Sequence, residues 1–172
     1  MKPPTMTDAK WSEIQNAKTN EAVLLVFAWL ADTVEVREEG GNNRGEWVKR
    51  FLAACGLPEG HPWCAAALYW ASIQVSTPAP KPSMAAAVSN WRDWAKSTGR
   101  HRTSPKRGYA CYKKKGLSHI GMVIRSFAGF VYSIEGNTSP GEEGSQRDGG
   151  GLYRRVRLAS FWDGYISQDI EG

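Results

Sequence analysis

The chain has 172 residues, which is enough to bury one sizeable hydrophobic core, so we expect a single folded domain. Hydrophobic residues make up 41% of it and charged residues 23%, both close to the averages for globular proteins. The three cysteines, Cys55, Cys64 and Cys111, are few, odd in number and lack CxxC spacing, which argues against a disulfide framework and against a zinc site. Such sparse use suits synthesis in a reducing compartment.

The net charge is +5, and the basic residues are concentrated in one part of the chain. Between Asp93 and Glu135 there is no acidic residue, and nine basic ones occur there: Lys96, Arg100, Arg102, Lys106, Arg107, Lys113, Lys114, Lys115 and Arg125. Such a stretch is either a solvated face or a surface that attracts a polyanion. An acidic cell-wall polymer, a lipid headgroup layer and a nucleic acid all have the required charge.

At the N-terminus, residues 1–19 are polar, and we expect an extension with at most one helical turn around Trp11. A helix is predicted from Asn20 to about Val36, and the single domain is expected to span 20–172. Residues 22–31 form a run of ten apolar residues, whereas a membrane span needs about 20. The run follows Glu21 and lacks a good cleavage site, so we expect a buried helix and no export signal.

The middle of the chain predicts three further helices. Glycine and asparagine residues between 37 and 45 indicate a loop, and the apolar stripe after it predicts a helix over 46–55. The next helix begins close to Pro62 and Cys64. Three prolines within 75–82 indicate an extended connection, and a fourth helix is predicted over 83–96.

Beyond residue 100 the pattern changes from helical to strand-like. Short β-branched or aromatic runs occur at 108–112, 119–125, 130–135 and 152–157, separated by turns rich in glycine and lysine. The six glycines within 136–151 predict a long loop. Helices followed by an antiparallel sheet predict an α+β fold.

Cys64 is the first candidate for a functional residue. In the opening turn of its helix a thiol would face unpaired backbone N–H groups and the positive end of the helix dipole, both of which favour the thiolate. The pattern is therefore consistent with a cysteine nucleophile, and equally with a small buried residue. Cys55 and Cys111 lie in a helical stripe and a strand-like run, where we expect inert core residues.

A cysteine nucleophile needs a base, and the chain has three histidines. His61 is expected on the loop before the cysteine helix, and His101 lies among cations that disfavour its charged form. His119 opens a predicted strand and could be held rigidly at the rim of the sheet. If the following strand returns beside it, Glu135 or Asn137 could accept the second imidazole N–H and orient the ring.

These motifs, taken in order, are similar to those of a known family. Residues 62–66 (PWCAA), 118–123 (SHIGMV) and 134–138 (IEGNT) resemble the CHAP family of cysteine- and histidine-dependent amidohydrolases and peptidases, within the papain-like superfamily. Residues 36–38 (VRE) and 41–45 (GNNRG) resemble the motif that precedes the nucleophile helix in many members. The resemblance covers about residues 30–160. It implies a papain-like fold, with N-terminal helices packed on a C-terminal antiparallel sheet and the nucleophile at the start of a helix.

Matched position by position, the resemblance implies that Cys64 is the nucleophile, His119 the general base and Glu135 the residue that orients the imidazole. Asn137 would be a second orienting residue or part of the oxyanion site. Trp63 and Asn43 are the candidates for substrate binding. Calcium-binding members carry clustered aspartates before the cysteine, and these are missing here, so we expect neither metal nor cofactor. Where the family strand often begins Gly-Asp, this chain has Lys106-Arg107-Gly108, which leaves the geometry of that strand open.

The function implied is hydrolysis of an amide or peptide bond in bacterial peptidoglycan by a monomer that has no membrane span. A phage or prophage endolysin is the leading interpretation, with synthesis in the cytoplasm and action at the cell wall or periplasm. The region Lys96–Lys115 would attract an anionic wall polymer rather than nucleic acid. The alternatives are a secreted antibacterial amidase effector of the same chemistry and a non-catalytic basic binding module.

Overall fold

The fold is derived from a computed structural model, which describes residues 2–3, 5–139 and 149–169. Five α-helices occur in these ranges: α1 (Asp8–Asn16), α2 (Thr19–Asp32), α3 (Glu46–Ala54), α4 (Cys64–Gln74) and α5 (Val88–Ser97). Short 3-10 turns at Pro82–Met84 and Ala159–Phe161 complete the helical content of these ranges.

Six strands form one antiparallel sheet, and they are β1 (His101–Arg102), β2 (Ala110–Lys113), β3 (His119–Phe127), β4 (Phe130–Thr138), β5 (Gly151–Leu158) and β6 (Gly164–Ile166). Their order across the sheet is β1-β6-β2-β3-β4-β5. β2 to β5 are therefore neighbours in chain order, and β6 returns to lie between β1 and β2. The chain is an α+β protein, as the change of hydrophobic period predicts.

Helix α4 lies at the centre of the molecule, where it packs against α2, α3, β3 and β4. Every residue from Cys64 to Ser72 is buried, so α4 has no polar face to present to water. Its run of alanines allows the neighbouring elements to approach closely. A helix that is apolar on all sides is stable only inside a core, and this one anchors the helices to the sheet.

The sheet is covered on both faces. One face packs on the helices through Ala110, Tyr112, Ile120, Met122, Ile134, Leu152 and Ile166. The other face has its own apolar cluster, formed by Tyr109, Cys111, Val123, Val131, Trp162 and Tyr165. Because side chains alternate along a strand, neighbouring residues of β3 and β4 belong to different clusters. This second cluster lies beside the candidate site described below.

The N-terminal segment differs from the predicted extension. α1 runs over nine residues, with Thr7 accepting a hydrogen bond from the Lys10 backbone N–H at its start. Met6 is 3% exposed and Ile14 is fully buried, so this segment contributes to the main core. Ile14 is the one buried residue of α1 itself, and a single buried position gives too weak an apolar period to be recognised from sequence.

Two helix boundaries also differ from the prediction. α2 ends at Asp32 instead of Val36, because Glu35 adopts a left-handed φ of 53° and the Val36 N–H bonds back to Leu30. α5 begins at Val88 instead of Ser83. The residues before it form a 3-10 turn, and the Trp91 indole N–H donates to the Ala85 carbonyl at 2.8 Å.

Strands β1 and β6 were not predicted, since two and three residues are too few to show an alternating pattern. β4 continues to Thr138, where the sequence predicts the start of a loop. The middle of that predicted loop, residues 140–148, lies outside the described residues. None of the described helices has the length and hydrophobicity required to span a bilayer.

Candidate active site

Cys64 is the first residue of α4, and the sequence predicts it in the opening turn of this helix. The preceding Trp63 does not cap the helix with its side chain, because an indole has no hydrogen-bond acceptor for the helix N–H groups; its own N–H donates to Glu38 Oε1 at 2.8 Å. The first-turn N–H groups of α4 are thus close to the Cys64 sulfur, together with the positive end of the helix dipole. Cys64 is 6% exposed, so a reagent can reach only its tip.

The loop before α3 positions the segment that leads into α4. Glu38 holds Trp63 as described, the Gly60 backbone N–H donates to the Asn43 carbonyl at 2.9 Å, and the Gly45 N–H donates to Glu59 at 2.9 Å. These bonds connect residues 38–45 to residues 59–63. Residues 38–45 therefore contribute to the position of Cys64.

His119 and Glu135 meet on neighbouring strands. His119 opens β3, Glu135 lies in β4, and both are completely buried. His119 Nε2 lies 2.8 Å from Glu135 Oε2. Because the carboxylate is ionised, as shown below, Nε2 is the donor and the ring orientation is defined.

Gly121 makes this arrangement sterically feasible. It is the direct partner of Glu135 in the β3–β4 pairing, and a Cβ at residue 121 would lie only 2.7 Å from Glu135 Cγ. The Glu135 side chain therefore crosses the space left by the missing Cβ. The glycine two residues after His119 thus has a steric role in the site.

Glu135 is held from three directions. Arg157 of β5 donates from Nε to Glu135 Oε1 at 2.8 Å and from Nη2 to Oε2 at 2.5 Å, and Ser133 Oγ donates to Oε1 at 2.7 Å. Burial by itself raises the pKa of the carboxyl, but the bonds from His119 and Arg157 outweigh it and lower the pKa of Glu135 to about 2. Glu135 is a fixed carboxylate at any pH at which the protein would act.

The imidazole of His119 lies between this carboxylate and the thiol. Burial lowers its pKa, but contact with the Cys64 thiol and the hydrogen bond with Glu135 raise the pKa of His119 to about 9. Among the described residues, the buried Nδ1 atom has no conventional hydrogen-bond partner, which leaves this edge of the ring for the sulfur. Cys64, His119 and Glu135 thus form a continuous series, thiol to imidazole to carboxylate.

Trp162 covers the series on the side away from the helices. Its ring stacks on His119 with the centroids 6.3 Å apart and an angle of 17° between the planes. The adjoining Phe161 lies under the Arg157 guanidinium at 4.4 Å. These rings exclude water, and charge interactions between the enclosed groups are stronger in the resulting low dielectric.

Asn137 is close in sequence to this series but is not bonded to it. It adopts a φ of 54° where the pairing of β4 with β5 is interrupted, and it is 1% exposed. Neither polar atom of its side chain has a hydrogen-bond partner among the described residues. A buried amide without partners is energetically costly.

The two residues expected to bind substrate are both buried. Trp63 is fully buried, and its ring packs against Gly136, where an added Cβ would lie 2.9 Å from the indole. Asn43 is 4% exposed and has a φ of 57°. Trp63 has no surface for a substrate, and both residues support the loops around Cys64. The expectation of substrate contacts is wrong for Trp63, because the space around its indole is occupied by Glu38 and β4.

A groove of about 440 Å3 opens at the Cys64 sulfur. One wall is the segment from Ser83 to Asn90, and the other includes His61, Pro62, Lys114 and Ser118. A second cavity, of about 390 Å3, lies near α1 and the end of α4 and does not include Cys64. The groove therefore offers an extended chain a path across the thiol, and His119 is not among its lining residues.

The other histidines do not join the series. His61 is exposed on the loop before α4, as predicted. His101 pairs with the Tyr112 hydroxyl at 3.0 Å, and its pKa is lowered by burial and by nearby cations. Within residues 2–3, 5–139 and 149–169, no group of three or more histidine, cysteine, aspartate or glutamate residues is arranged to hold a metal ion.

No protein-family model, no curated protein and no solved structure matches this chain. The geometry of the site is therefore the basis for a functional assignment.

Sequence reasoning did not identify Arg157, Ser133 or Trp162 as parts of the site. Arg157 belongs to an arginine-rich strand in which Arg154 and Arg155 are equally conspicuous, so the sequence does not single it out. Ser133 precedes Glu135 by two residues, and strand alternation could have placed it on the same face. Trp162 is one of eight tryptophans, and no local sequence pattern indicates that it lies at the site.

Proposed function

We propose that the protein is a cysteine amidohydrolase or peptidase of papain-like fold that cleaves an amide or peptide bond in bacterial peptidoglycan. The single observation that carries the chemistry is the buried series Cys64–His119–Glu135, whose sulfur opens into a groove. The choice of peptidoglycan, and of an endolysin acting at the cell wall, rests on the resemblance of residues 30–160 to CHAP domains.

The first half of the reaction forms a thioester. The Cys64 thiolate attacks the carbonyl carbon of the substrate amide, and the carbonyl oxygen becomes an oxyanion beside the Cys64 backbone N–H. The imidazolium of His119 gives its proton to the leaving nitrogen as the C–N bond breaks. The amine product departs, and the acyl group stays on the sulfur.

The second half releases the acid. Neutral His119 takes a proton from water, and the resulting hydroxide attacks the thioester carbonyl. The C–S bond breaks, the carboxylic acid leaves, and the thiolate–imidazolium pair forms again. Glu135 stays ionised throughout and stabilises the imidazolium, since its own pKa is about 2.

Replacing the nucleophile tests the proposal directly. Cys64→Ala should abolish clearing of purified peptidoglycan in a zymogram while leaving the melting temperature nearly unchanged, because it removes one sulfur atom from a helix start. Cys55→Ala and Cys111→Ala are matched controls in the core. They should keep activity and lose ~1–2 kcal/mol of stability.

Retained lysis by Cys64→Ala would overturn the assignment of the nucleophile. Binding to peptidoglycan by the wild type without any cleavage would instead favour a non-catalytic binding module. Mass spectrometry of the digested muropeptides would identify the bond, because hydrolysis of an amide between sugar and stem peptide leaves different fragments from hydrolysis within the peptide.

A further inference from the structure

Arg157 makes the strongest contact with the candidate site that the catalytic proposal does not use. Its side chain is 10% exposed, and its fork engages both carboxylate oxygens of Glu135, with Nε also 3.1 Å from Oε2. Two parallel bonds from a planar guanidinium restrict the rotation of the carboxylate as well as its position. Arg157 thus determines which oxygen of Glu135 faces His119.

The charges of the buried groups explain why a cation is needed here. A buried carboxylate without compensation is strongly unfavourable. If His119 were its sole partner, Glu135 would favour a permanently charged imidazolium, which is a poor base for activating water. With Arg157 in place the carboxylate is already neutralised, and His119 can release and regain its proton.

We propose that Arg157 is a positioning residue that orients Glu135 and neutralises it, so that His119 can exchange its proton within each catalytic cycle. This inference rests on the proposed cysteine hydrolase function and extends it to a fourth side chain. Arg157 acts on Cys64 only through Glu135 and then His119, and it touches no reacting atom.

Other charged and titratable groups surround this series and bear on its pH dependence. Lys113 is paired with His119 across β2 and β3, and its ammonium lies 3.6 Å from Asp163, which compensates its charge. Cys111 shares the sheet face with Glu135 through Gly121, and burial followed by the nearby carboxylate raises its pKa well above the usual value, so it stays neutral. Among the described residues, Arg157 is the cation in direct contact with Glu135.

The pH–rate profile on a soluble muropeptide distinguishes positioning from a merely structural role. Removal of a cation beside Glu135 favours the protonated form of His119. Arg157→Met should therefore shift the alkaline limb of the profile of kcat/KM upward by about one pH unit. It should also lower kcat about tenfold or more, because the Glu135 carboxylate is no longer held in one orientation. KM should change little.

Two further variants control this result. Arg157→Lys restores the charge without the fork, so it should return the alkaline limb to its wild-type position and recover only part of kcat. Arg154→Met removes an arginine from the same strand that pairs with Asp32 at the surface, and it should leave the profile unchanged. An alkaline limb that stays at the wild-type pH in Arg157→Met, with or without a loss of rate, would overturn the proposal.

A measurement that needs no activity separates this inference from the proposed function. In a Cys64→Ala background with isotope-labelled histidine, the ring of His119 is assigned by comparison with His119→Gln and titrated by NMR. Adding Arg157→Met should raise the pKa of His119, and an unchanged pKa would contradict the proposal even in an active enzyme. A raised pKa in a protein that does not cleave peptidoglycan would refute the function and leave the role of Arg157 intact.

Discussion

Glu135 is the residue on which the geometry of the candidate site depends most. Its two oxygens accept hydrogen bonds from His119, Ser133 and Arg157, and its side chain occupies the space above Gly121. Asn137 lies two residues later and is the second polar residue of the same motif. Its side chain forms no hydrogen bonds with described residues. The two positions therefore have different functions despite their proximity in sequence.

Substitution of each residue separates these functions. Glu135→Gln should lower kcat about a hundredfold or more, because an amide cannot stabilise the imidazolium and leaves Arg157 without its anion. Asn137→Ala should lower kcat less, since its side chain orients no described group. The measurement is turnover of a soluble muropeptide, with melting temperatures as the control for folding.

A larger loss in Asn137→Ala than in Glu135→Gln would contradict this assignment. It would mean that the unpartnered amide stabilises the oxyanion or orients the ring, as the amide does in a papain-like asparagine arrangement.

At the scale of elements, the pairing of β3 with β4 brings His119 to Glu135. Gly121 lies opposite Glu135, and a larger residue there would collide with the carboxylate side chain. Gly121→Ala should therefore displace Glu135 from His119 and reduce activity about tenfold or more, although alanine has the higher strand propensity. Ala110→Gly, which removes a buried Cβ on the neighbouring β2, is a control that lowers stability and keeps the geometry of the site. Full activity in Gly121→Ala would show that the sheet can relax around the added methyl group.

Helix α1 offers a second test at this scale, because its burial differs from the expectation of an extension. Ile14 is fully buried against the main core. Ile14→Ala should destabilise the protein by about 2–5 kcal/mol, the usual cost of removing such a side chain from a packed core. Ser12→Ala on the exposed face of the same helix should change stability little. Equal melting temperatures for the two variants would show that α1 is a dispensable extension.

At the scale of the whole molecule, the basic stretch between residues 96 and 115 does not form one uniform positive face. Arg100 is buried, Arg107 forms an ion pair with α2, and Lys113 pairs with an aspartate. Lys96, Lys106 and Lys115 are exposed, but Lys106 also lies over the Tyr109 ring. Lys96 and Lys115 are therefore the lysines of the stretch best placed to attract an anionic wall polymer from solution.

We expect this attraction to depend on ionic strength. The Debye length falls from about 10 Å at 0.1 M salt to about 3 Å at 1 M, so lysis of whole walls should decline steeply as salt rises. Turnover of a small soluble muropeptide should hardly change, because the catalytic groups act at contact distance. Replacing both Lys96 and Lys115 by glutamine should flatten the salt dependence on walls.

The control replaces Lys18 and Lys49, which are exposed on other parts of the surface, and produces the same change in net charge. It should leave more of the salt dependence intact. If both double variants flatten it equally, net charge rather than this region attracts the wall polymer.

The local pattern of the sequence determined most of the elements and the order of the candidate residues. A helix start at Pro62–Cys64 and strand periods around His119 and Glu135 are properties of short segments, so they could be predicted without knowledge of the fold. Cys64 and His119 were thereby assigned to a helix start and a strand end, where the structure has them. The same pattern could not detect α1, which has one buried residue, or β6, which has only three residues.

Only the tertiary structure decided what these residues touch. Arg157 reaches Glu135 across 22 residues because β5 pairs with β4, and no local pattern distinguishes it from Arg154, whose side chain bonds to α2 on the surface. Trp63 is next to the nucleophile in sequence, yet it is buried because Glu38 and Gly136 converge on its indole from distant segments. Periodicity determines which face a side chain occupies, but the partner on that face depends on strand register and helix packing, which arise from contacts between remote parts of the chain.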